Sequence, residues 1–301
     1  MSKVYADFGV PHVGVESEGF VYSKDGEKIN VFEWLGGSIT VPNGGVISTD
    51  AGPHQIEIST LPCKSNEELL DMFNVCLGEL PSDWQIYWTG VDPFANGSVP
   101  KWSPKPRYNG LHSGLKAEHP NWEKVLEIAR YSALNLHFEG DPSSPEGVST
   151  INWLNNQAPV LVQDIHQKIG IPISRRFRVA WRGWADKRRL PHWFWFADRQ
   201  EMEDYWQSIP RLYKEAGADV WVADLETRPE IGDPVAEGAI WWEARPRWSY
   251  GTIEWRSLDS VPIAVIPTVI EEMLVRRLQF LDGKAGEKIP EEDWWQMIEQ
   301  L

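Results

Sequence analysis

The sequence predicts an α+β fold with a largely antiparallel sheet. Short segments that alternate apolar and polar residues, typical of strands with one covered face, are interspersed with longer segments of helical periodicity. The two kinds of segment do not follow the regular strand–helix–strand order of a parallel sheet. No repeat or linker divides the 301 residues, so we expect a single domain over residues 1–301.

Period-two alternation predicts five strands, at residues 10–22, 55–60, 134–139, 177–181 and 251–258. Helical periodicity predicts a helix after Ser65, which forms a capping box with Glu68. Five more helices are predicted at residues 121–131, 150–168, 197–216, 261–281 and 290–301. Pro159 predicts a kink or break in the second of these five, because proline has no amide hydrogen to donate.

The composition excludes several classes of protein. With 29 basic and 44 acidic residues the net charge is -15, which argues against non-specific binding to nucleic acid or to an anionic membrane. No apolar run is long enough to span a membrane and the N-terminus has no apolar signal core, so we expect a soluble cytoplasmic protein. The 18 tryptophans indicate either a core rich in large aromatics, which we favour, or a groove for a sugar or peptide.

Acidic residues and one histidine lie on the polar faces of four predicted strands. Because residues two apart in a strand point to the same side, each strand presents one such set. The sets are Glu16 with Glu18; Gln55, Glu57 and Ser59; Asn135, His137 and Glu139; and Thr252, Glu254 and Arg256. For any single strand, a solvated face of an antiparallel sheet gives the same pattern and stays an alternative.

If these faces converge, the five carboxylates repel one another unless cations lie among them. Oxygen ligands with one imidazole suit Mg²⁺ or Mn²⁺ better than Zn²⁺. Arg256, on the same face as Glu254, indicates an anion beside the metal ions. Metal ligands together with arginine are the groups that handle the phosphates of a nucleotide.

Arginines form two further candidate anion sites. Seven basic residues lie in the segment from Arg175 to Arg189. They form either a site that binds a phosphate or a carboxylate, with Arg175 and Arg176 as the first candidates, or a solvated basic loop. Arg245 and Arg247 precede the last predicted strand and form a second candidate pair. The chain has no P-loop, dinucleotide-binding or nucleophile-elbow motif, and the histidines other than His137 are expected in loops or packing contacts.

At these residues the sequence resembles the glutamate–cysteine ligases and their carboxylate–amine ligase relatives, which share a glutamine synthetase-like catalytic fold. The last strand reads Gly-Thr-apolar-Glu-x-Arg-x-x-Asp, as in that family. The other matching segments are residues 14–19, 57–62 and 136–139, and all four occur in the family's order. The resemblance thus spans residues 14–259, which is most of the chain.

The resemblance implies a curved sheet whose concave face holds ATP and two or three Mg²⁺ or Mn²⁺ ions, with helices on the outside. The implied metal ligands are Glu16, Glu18, Glu57, His137 and Glu254. Arg256 is implied to contact the transferring phosphate, and Arg175, Arg176 and Arg245 are suggested as further ligands of ATP or substrate. The implied partners are small molecules, and a homo-oligomer is left open.

The implied reaction is ATP-dependent formation of a γ-glutamyl amide through an acyl phosphate. The amine is cysteine or, as an alternative, a different amine of a specialised pathway, and Glu16 or Glu139 is expected to accept its proton. Replacement of Glu254 by alanine is expected to abolish ATP turnover and leave the fold intact. Two other classes stay open: a carbohydrate-active enzyme with paired carboxylates and an inactive nucleotide-binding scaffold.

Overall fold

The fold is built on one large antiparallel sheet. In a computed structural model, the described residues are 4–95, 100–105, 108, 129–174, 193–209, 211–214, 221–224, 230–233, 237, 240–284 and 287–301. The eight strands of the main sheet are β1 (Val13–Ser23), β2 (Ser38–Thr40), β3 (Val46–Thr49), β4 (Gln55–Ser59), β5 (Trp84–Tyr87), β6 (Ala133–Glu139), β9 (Ala244–Arg247) and β10 (Thr252–Asp259). A separate hairpin is formed by β7 (Arg211–Lys214) and β8 (Trp221–Asp224).

The strand order places the longest strand at the centre of the sheet. The order is β2-β3-β4-β1-β6-β10-β9, and β5 pairs with the C-terminal end of β1. The pairs of strands in the described residues are all antiparallel. This confirms the predicted α+β fold with a largely antiparallel sheet.

Seven α-helices are present in the described residues. They are α1 (Val31–Leu35), α2 (Asn66–Gly78), α3 (Pro145–Asn156), α4 (Ala158–Ile169), α5 (Arg199–Gln207), α6 (Ile266–Leu281) and α7 (Glu291–Gln300). Short 3-10 helices cover Tyr5–Phe8 and Ile263–Val265. No helix in this part of the chain combines the length and apolar character needed to cross a bilayer.

Local sequence signals account for several helix ends. The Ser65 hydroxyl accepts a hydrogen bond from the Glu68 amide at the start of α2, as the capping box predicts. The predicted break at Pro159 is also present, because α3 ends at Asn156 and α4 begins at Ala158, one residue before the proline.

The prediction for residues 197–216 is wrong in its second half. Helix α5 ends at Gln207, and Arg211–Lys214 is a strand. Pro210 explains the stop, since proline disfavours the helical conformation of the residue before it and has no amide hydrogen. The strand predicted at 177–181 and residues 121–128 of another predicted helix lie outside the described residues; Tyr131, at the end of that helix, forms a bridge with Val91 instead.

The apolar faces of the strands pack under the helices. Val15, Leu136 and Trp255 from the sheet share one buried core with side chains of α2, α3, α4 and α6. Four of the tryptophans are almost completely buried: Trp206, Trp242, Trp255 and Trp294. Large aromatics therefore serve the core, as we favoured from the sequence. The polar face of the sheet is left for the candidate site.

The buried carboxylate of Asp92, in the loop after β5, connects β1, the segment after β1 and the residue before β4. Asp92 accepts hydrogen bonds from the Tyr22 hydroxyl, from Lys28 Nζ at 2.7 Å and from the Phe94 amide at 3.0 Å. His54 Nε2 lies 3.1 Å from the same carboxylate. Burial opposes ionisation, but the hydrogen bonds from His54, Lys28 and Tyr22 outweigh it and hold the Asp92 pKa well below its usual range.

Asp92→Asn is expected to destabilise the protein by about 2 kcal/mol at neutral pH, the scale of a lost charge-assisted hydrogen bond. Because the folded-state pKa of Asp92 is depressed, its contribution is present above the unfolded pKa of about 3.9 and is lost as the pH falls below it. Urea unfolding of both proteins from neutral to acidic pH measures this. If the difference in unfolding free energy between the two proteins does not decrease at acidic pH, ionised Asp92 is not the source of the stabilisation.

Candidate active site

Strand register brings the predicted acidic residues to one face of the sheet. Glu18 lies opposite Glu57 between β1 and β4, and His137 lies opposite Glu254 between β6 and β10. Glu16 lies between them on β1, opposite Asn135 of β6. We call this side, which carries Glu16, Glu18, Glu57, His137, Glu139 and Glu254, the acid face. The polar faces of the individual strands therefore form one continuous surface.

The first group on the acid face consists of Glu16, His137 and Glu254. One ligand atom from each lies within 4.8 Å of the other two. His137 Nδ1 lies 3.4 Å from the Thr252 hydroxyl. Its Nε2 is buried, lies 3.4 Å from Glu16 Oε1 and has no hydrogen-bond partner among the described residues. A buried imidazole nitrogen without a partner, between two carboxylates, fits a divalent metal ion at this position.

Glu16 is held in its ionised form. Burial raises the pKa of the Glu16 carboxyl, but the charge of His137, whose Nε2 lies 3.4 Å from Glu16 Oε1, lowers this pKa to about 2. Arg256 acts in the same direction. Glu16 therefore presents a carboxylate at neutral pH, as a ligand of a metal ion must.

The second group consists of Glu18, Asp50 and Glu57, whose oxygens also come within 4.8 Å of one another. Glu18 Oε2 accepts a hydrogen bond from the Ala133 amide at 2.8 Å, and Glu57 accepts one from the Ser48 hydroxyl at 3.1 Å. Asp50 directly follows β3 and accepts a hydrogen bond from the Tyr108 hydroxyl. Sequence reasoning missed Asp50, because strand β3 was not predicted.

Three carboxylates in this space repel one another. Burial raises the pKa of Glu18 well above its usual range, and the charges of Asp50 and Glu57 raise it further. Either a proton or a cation has to relieve the repulsion. A site made only of carboxylate oxygens suits a hard divalent cation such as Mg²⁺ or Mn²⁺.

Three arginines surround the fully buried Glu254. Arg245 donates from Nε at 2.7 Å and from Nη2 at 3.0 Å, in a bidentate pair. Arg247 Nη1 donates at 3.1 Å, and Arg256 Nη1 donates to the other carboxylate oxygen. Burial opposes ionisation of Glu254, but these guanidinium groups, Arg245 first, hold its pKa well below the usual range. Burial lowers the pKa of Arg245 to about 9, with further repulsion from Arg256 and Arg247, so Arg245 stays charged at neutral pH.

Arg256 donates to Glu254, and its charge also acts on Glu16 and, in the second group, on Glu18. The register of β10 shifts between Trp255 and Leu258, which places Arg256 in an irregular part of the strand. Its side chain is 20% exposed, against 5% for Arg245. Burial lowers the pKa of Arg256, but the charges of Glu254, Glu16 and Glu18 raise it well above its usual range. A partly exposed cation between two acidic groups can meet an anion there.

The other predicted site residues differ in their surroundings. Glu139 is on the acid face but at its edge, where it pairs with His12. Arg245, suggested as a ligand of ATP, directs its donors to Glu254 and to the Ile240 carbonyl. These contacts are those of a residue that orients Glu254. A role of Arg245 in binding ATP stays a prediction. Arg175 and Arg176 lie outside the described residues.

No family model and no curated protein sequence matches the chain. Among solved structures, a bifunctional glutathione synthetase from Pasteurella multocida is 13% identical with a TM-score of 0.48, and the match covers 98% of this chain and 42% of that one. A glutamate–cysteine ligase from Francisella tularensis in complex with AMP is 14% identical with a TM-score of 0.46, covering 96% and 70%. The complex of the ubiquitin-like protein Pup with its ligase is 11% identical with a TM-score of 0.39, covering 96% and 50%. The chain spans less than half the length of the glutathione synthetase.

Proposed function

We propose that this protein is an ATP-dependent carboxylate–amine ligase, of the glutamate–cysteine ligase type, with its active site on the acid face. One observation carries the proposal: two groups of three ligand residues lie on neighbouring parts of one sheet, and the charge of Arg256 acts on acids of both groups. Such a set of residues serves phosphoryl transfer, which is catalysed by positioning and by neutralisation of charge. The proposal covers a single catalytic domain over residues 1–301.

The two groups are proposed to hold divalent cations, Mg²⁺ or Mn²⁺. Glu16, His137 and Glu254 would hold one ion, and Glu18, Asp50 and Glu57 another. When bound, such ions neutralise charge on the phosphates of ATP and favour transfer of its terminal phosphoryl group. The orphaned His137 Nε2 and the raised pKa of Glu18 both support this assignment, because a bound cation relieves each of them.

The proposed reaction has two steps. A carboxylate oxygen of the acid substrate attacks the terminal phosphorus of ATP, the bond to ADP breaks, and an acyl phosphate forms. The amine nitrogen then attacks the carbonyl carbon, the bond to phosphate breaks, and the amine loses a proton to a carboxylate such as Glu16 or Glu139. Arg256 stabilises the negative charge on the transferring group.

L-Glutamate is the proposed acid, from the family resemblance of the four strands. Its γ-carboxylate would be activated, and the product would be a γ-glutamyl amide. The amine is either cysteine or another small amine, and the described residues carry no feature that selects between these two. The matched structures include a ligase that acts with the protein Pup, so a protein substrate belongs among the amines to be tested.

The test is phosphate release from ATP and Mg²⁺ with L-glutamate and a panel of amino acids and amines, followed by mass spectrometry. We expect release that needs both glutamate and one amine, and a product equal in mass to their sum minus water. Hydroxylamine in place of the amine should trap the acyl phosphate as a hydroxamate. ATP binding without turnover across broad panels would identify an inactive scaffold, and absence of ATP binding would overturn the proposal.

A further inference from the structure

Asn135 lies on the acid face between the two ligand groups. On β6 it is two residues from His137 of the first group and two residues from Ala133, whose amide donates to Glu18 of the second group. Its register partner on β1 is Glu16. The side chain is neutral, 1% exposed, and outside the four segments that carry the family resemblance.

The orientation of the Asn135 amide is fixed by Glu16. Asn135 Nδ2 donates a hydrogen bond to Glu16 Oε2 at 3.1 Å. Because a carboxylate oxygen accepts this hydrogen bond, the atom of the amide that faces it has to be the nitrogen. The other amide atom, Oδ1, is buried and has no hydrogen-bond partner among the described residues. A buried carbonyl oxygen without a donor indicates a ligand that the protein itself does not supply.

Two buried atoms without a partner thus flank one carboxylate. His137 Nε2 lies 3.4 Å from Glu16 Oε1, and the Asn135 amide is bound to Glu16 Oε2. Within the part of the chain that the structure describes, neither His137 Nε2 nor Asn135 Oδ1 has a hydrogen-bond partner. A divalent cation approaches its ligands to about 2.1 Å, whereas a hydrogen-bonded water oxygen stays at about 2.8 Å. A cation therefore fits between such buried atoms and satisfies both of them.

Glu254, the third member of the first group, has little capacity left for a cation. A carboxylate has about four acceptor sites. Arg245 occupies two of them, Arg247 a third and Arg256 a fourth. The positive charges of these guanidinium groups also repel a cation at this carboxylate. A cation in the first group therefore needs a further protein ligand as long as the arginines hold Glu254.

We infer that Asn135 Oδ1 is this ligand, and that the cation of the first group is coordinated by Asn135, Glu16 and His137. Glu254 joins them only when an arginine leaves its carboxylate. An amide oxygen, a carboxylate and an imidazole form a ligand set that suits Mn²⁺ or Mg²⁺. The inference rests on the proposed ligase function, whose first cation site it specifies.

The chemistry of asparagine suits this position. A carboxylate directly opposite Glu16 would add a like charge to a cross-strand pair, which is destabilising in the cation-free protein. An apolar residue would offer neither a donor to Glu16 nor an oxygen to the cation. Asn135 provides both, because its Nδ2 holds Glu16 and its Oδ1 remains available.

Mn²⁺ is the probe for the test, because electron spin-echo spectra of bound Mn²⁺ detect the nitrogen nucleus of a coordinating imidazole. The second group contains no imidazole, so this signal reports the first group alone. We expect the full wild-type chain to give the signal when titrated with MnCl₂. Asn135→Leu, a change of similar size, should need at least about 10-fold more Mn²⁺. Asn74→Leu, exposed on α2, is the matched control and should leave the titration unchanged.

Asn135→Asp separates coordination from support of Glu16, because it keeps an oxygen at the position of Oδ1 and loses the Nδ2 donor. We expect this variant to bind Mn²⁺ at least as tightly as the wild-type protein, since the carboxylate adds a charged ligand. If Asn135 only holds Glu16 in place, Asn135→Asp should weaken Mn²⁺ binding as Asn135→Leu does, and this result would overturn the inference. Asn74→Asp controls for the added charge.

The outcome does not depend on turnover. If no amide or hydroxamate forms with the wild-type protein, the ligase function fails, and the Mn²⁺ titration still decides the role of Asn135. Absence of the imidazole signal in the wild-type protein would overturn the inference together with the first cation site. An imidazole signal that Asn135→Leu leaves unchanged would overturn the inference alone. Circular dichroism shows whether each variant is folded, and if Asn135→Leu is not, Asn135→Asp provides the decision.

Discussion

Glu254→Ala is expected to reduce the free energy of unfolding by about 3–5 kcal/mol, the range found when one partner of a buried ion pair is removed. Glu254 is fully buried and accepts hydrogen bonds from Arg245, Arg247 and Arg256. Without the carboxylate, three guanidinium groups face one another in a site that is largely closed to water. The sequence alone led us to expect an intact fold for this variant, whereas the arginine cluster leads us to expect a destabilised one.

Urea unfolding of Glu254→Ala and of the exposed control Glu67→Ala measures this effect. The double variant Glu254→Leu with Arg245→Leu provides the second comparison. Removing one guanidinium group together with the carboxylate relieves part of the repulsion among the arginines, so the double variant should be more stable than Glu254→Leu alone. A loss below about 1 kcal/mol for Glu254→Ala would show that the three arginines are otherwise compensated.

This result changes which residue should be used to test catalysis. A variant that unfolds loses activity for a reason unrelated to phosphoryl transfer. Glu57 is a better probe, because its side chain accepts a neutral hydrogen bond from the Ser48 hydroxyl, whereas Glu254 is bound by the buried arginine cluster. Glu57→Gln keeps the size and the acceptor oxygen of that side chain and removes only its charge.

The parts of the site that the sequence could predict are those that follow strand periodicity. Glu16, Glu57, His137 and Glu254 lie on strands whose alternation is clear, so their shared face follows from the sequence. Asp50 could not be found in this way. It follows a strand of four residues, and it reaches Glu18 and Glu57 only because that strand pairs with β4.

The arginine cluster also depends on tertiary pairing. Strand β9 reads Ala-Arg-Pro-Arg, a sequence without the apolar pattern of a buried strand, yet all of its residues are buried. It is stable there because Glu254 of the neighbouring strand pairs with both arginines and Glu237 pairs with Arg247 as well. The pairing of His12 with Glu139 is likewise a product of register, since the two residues are 127 positions apart. Interactions of this kind have no local signal in a sequence.

Glu18→Gln is expected to have opposite effects on stability in the absence and in the presence of divalent cations. In the folded protein without cations the Glu18 pKa is raised well above its usual range, so the folded state binds more protons than the unfolded state. The stability of the wild-type protein is then greatest below the unfolded pKa of about 4.3 and falls as the pH rises toward the folded pKa, by up to about 1.4 kcal/mol per pH unit. Glutamine resembles the protonated glutamate side chain and does not ionise, so the Glu18→Gln variant does not lose stability in this way as the pH rises.

Without cations, the stability of Glu18→Gln relative to the wild-type protein should therefore increase from acidic to neutral pH. Urea unfolding in the presence of a chelator measures this difference, and Asp71→Asn serves as the control for removal of one carboxylate. A difference that is independent of pH would show that Glu18 does not carry the repulsion within its group.

Divalent cations should reverse the order of stability. A cation that binds only the folded state stabilises it in proportion to the logarithm of its concentration over the dissociation constant. The wild-type protein should gain this stabilisation with Mg²⁺ or Mn²⁺, and Glu18→Gln should show at least about 10-fold weaker affinity in a calorimetric Mn²⁺ titration, since a neutral amide replaces one of three charged ligands. The same repulsion that costs stability in the cation-free protein thus becomes the driving force for metal binding. If Mn²⁺ binds both proteins equally, the group of Glu18, Asp50 and Glu57 is not a cation site, and the ligase proposal loses one of its two metal ions.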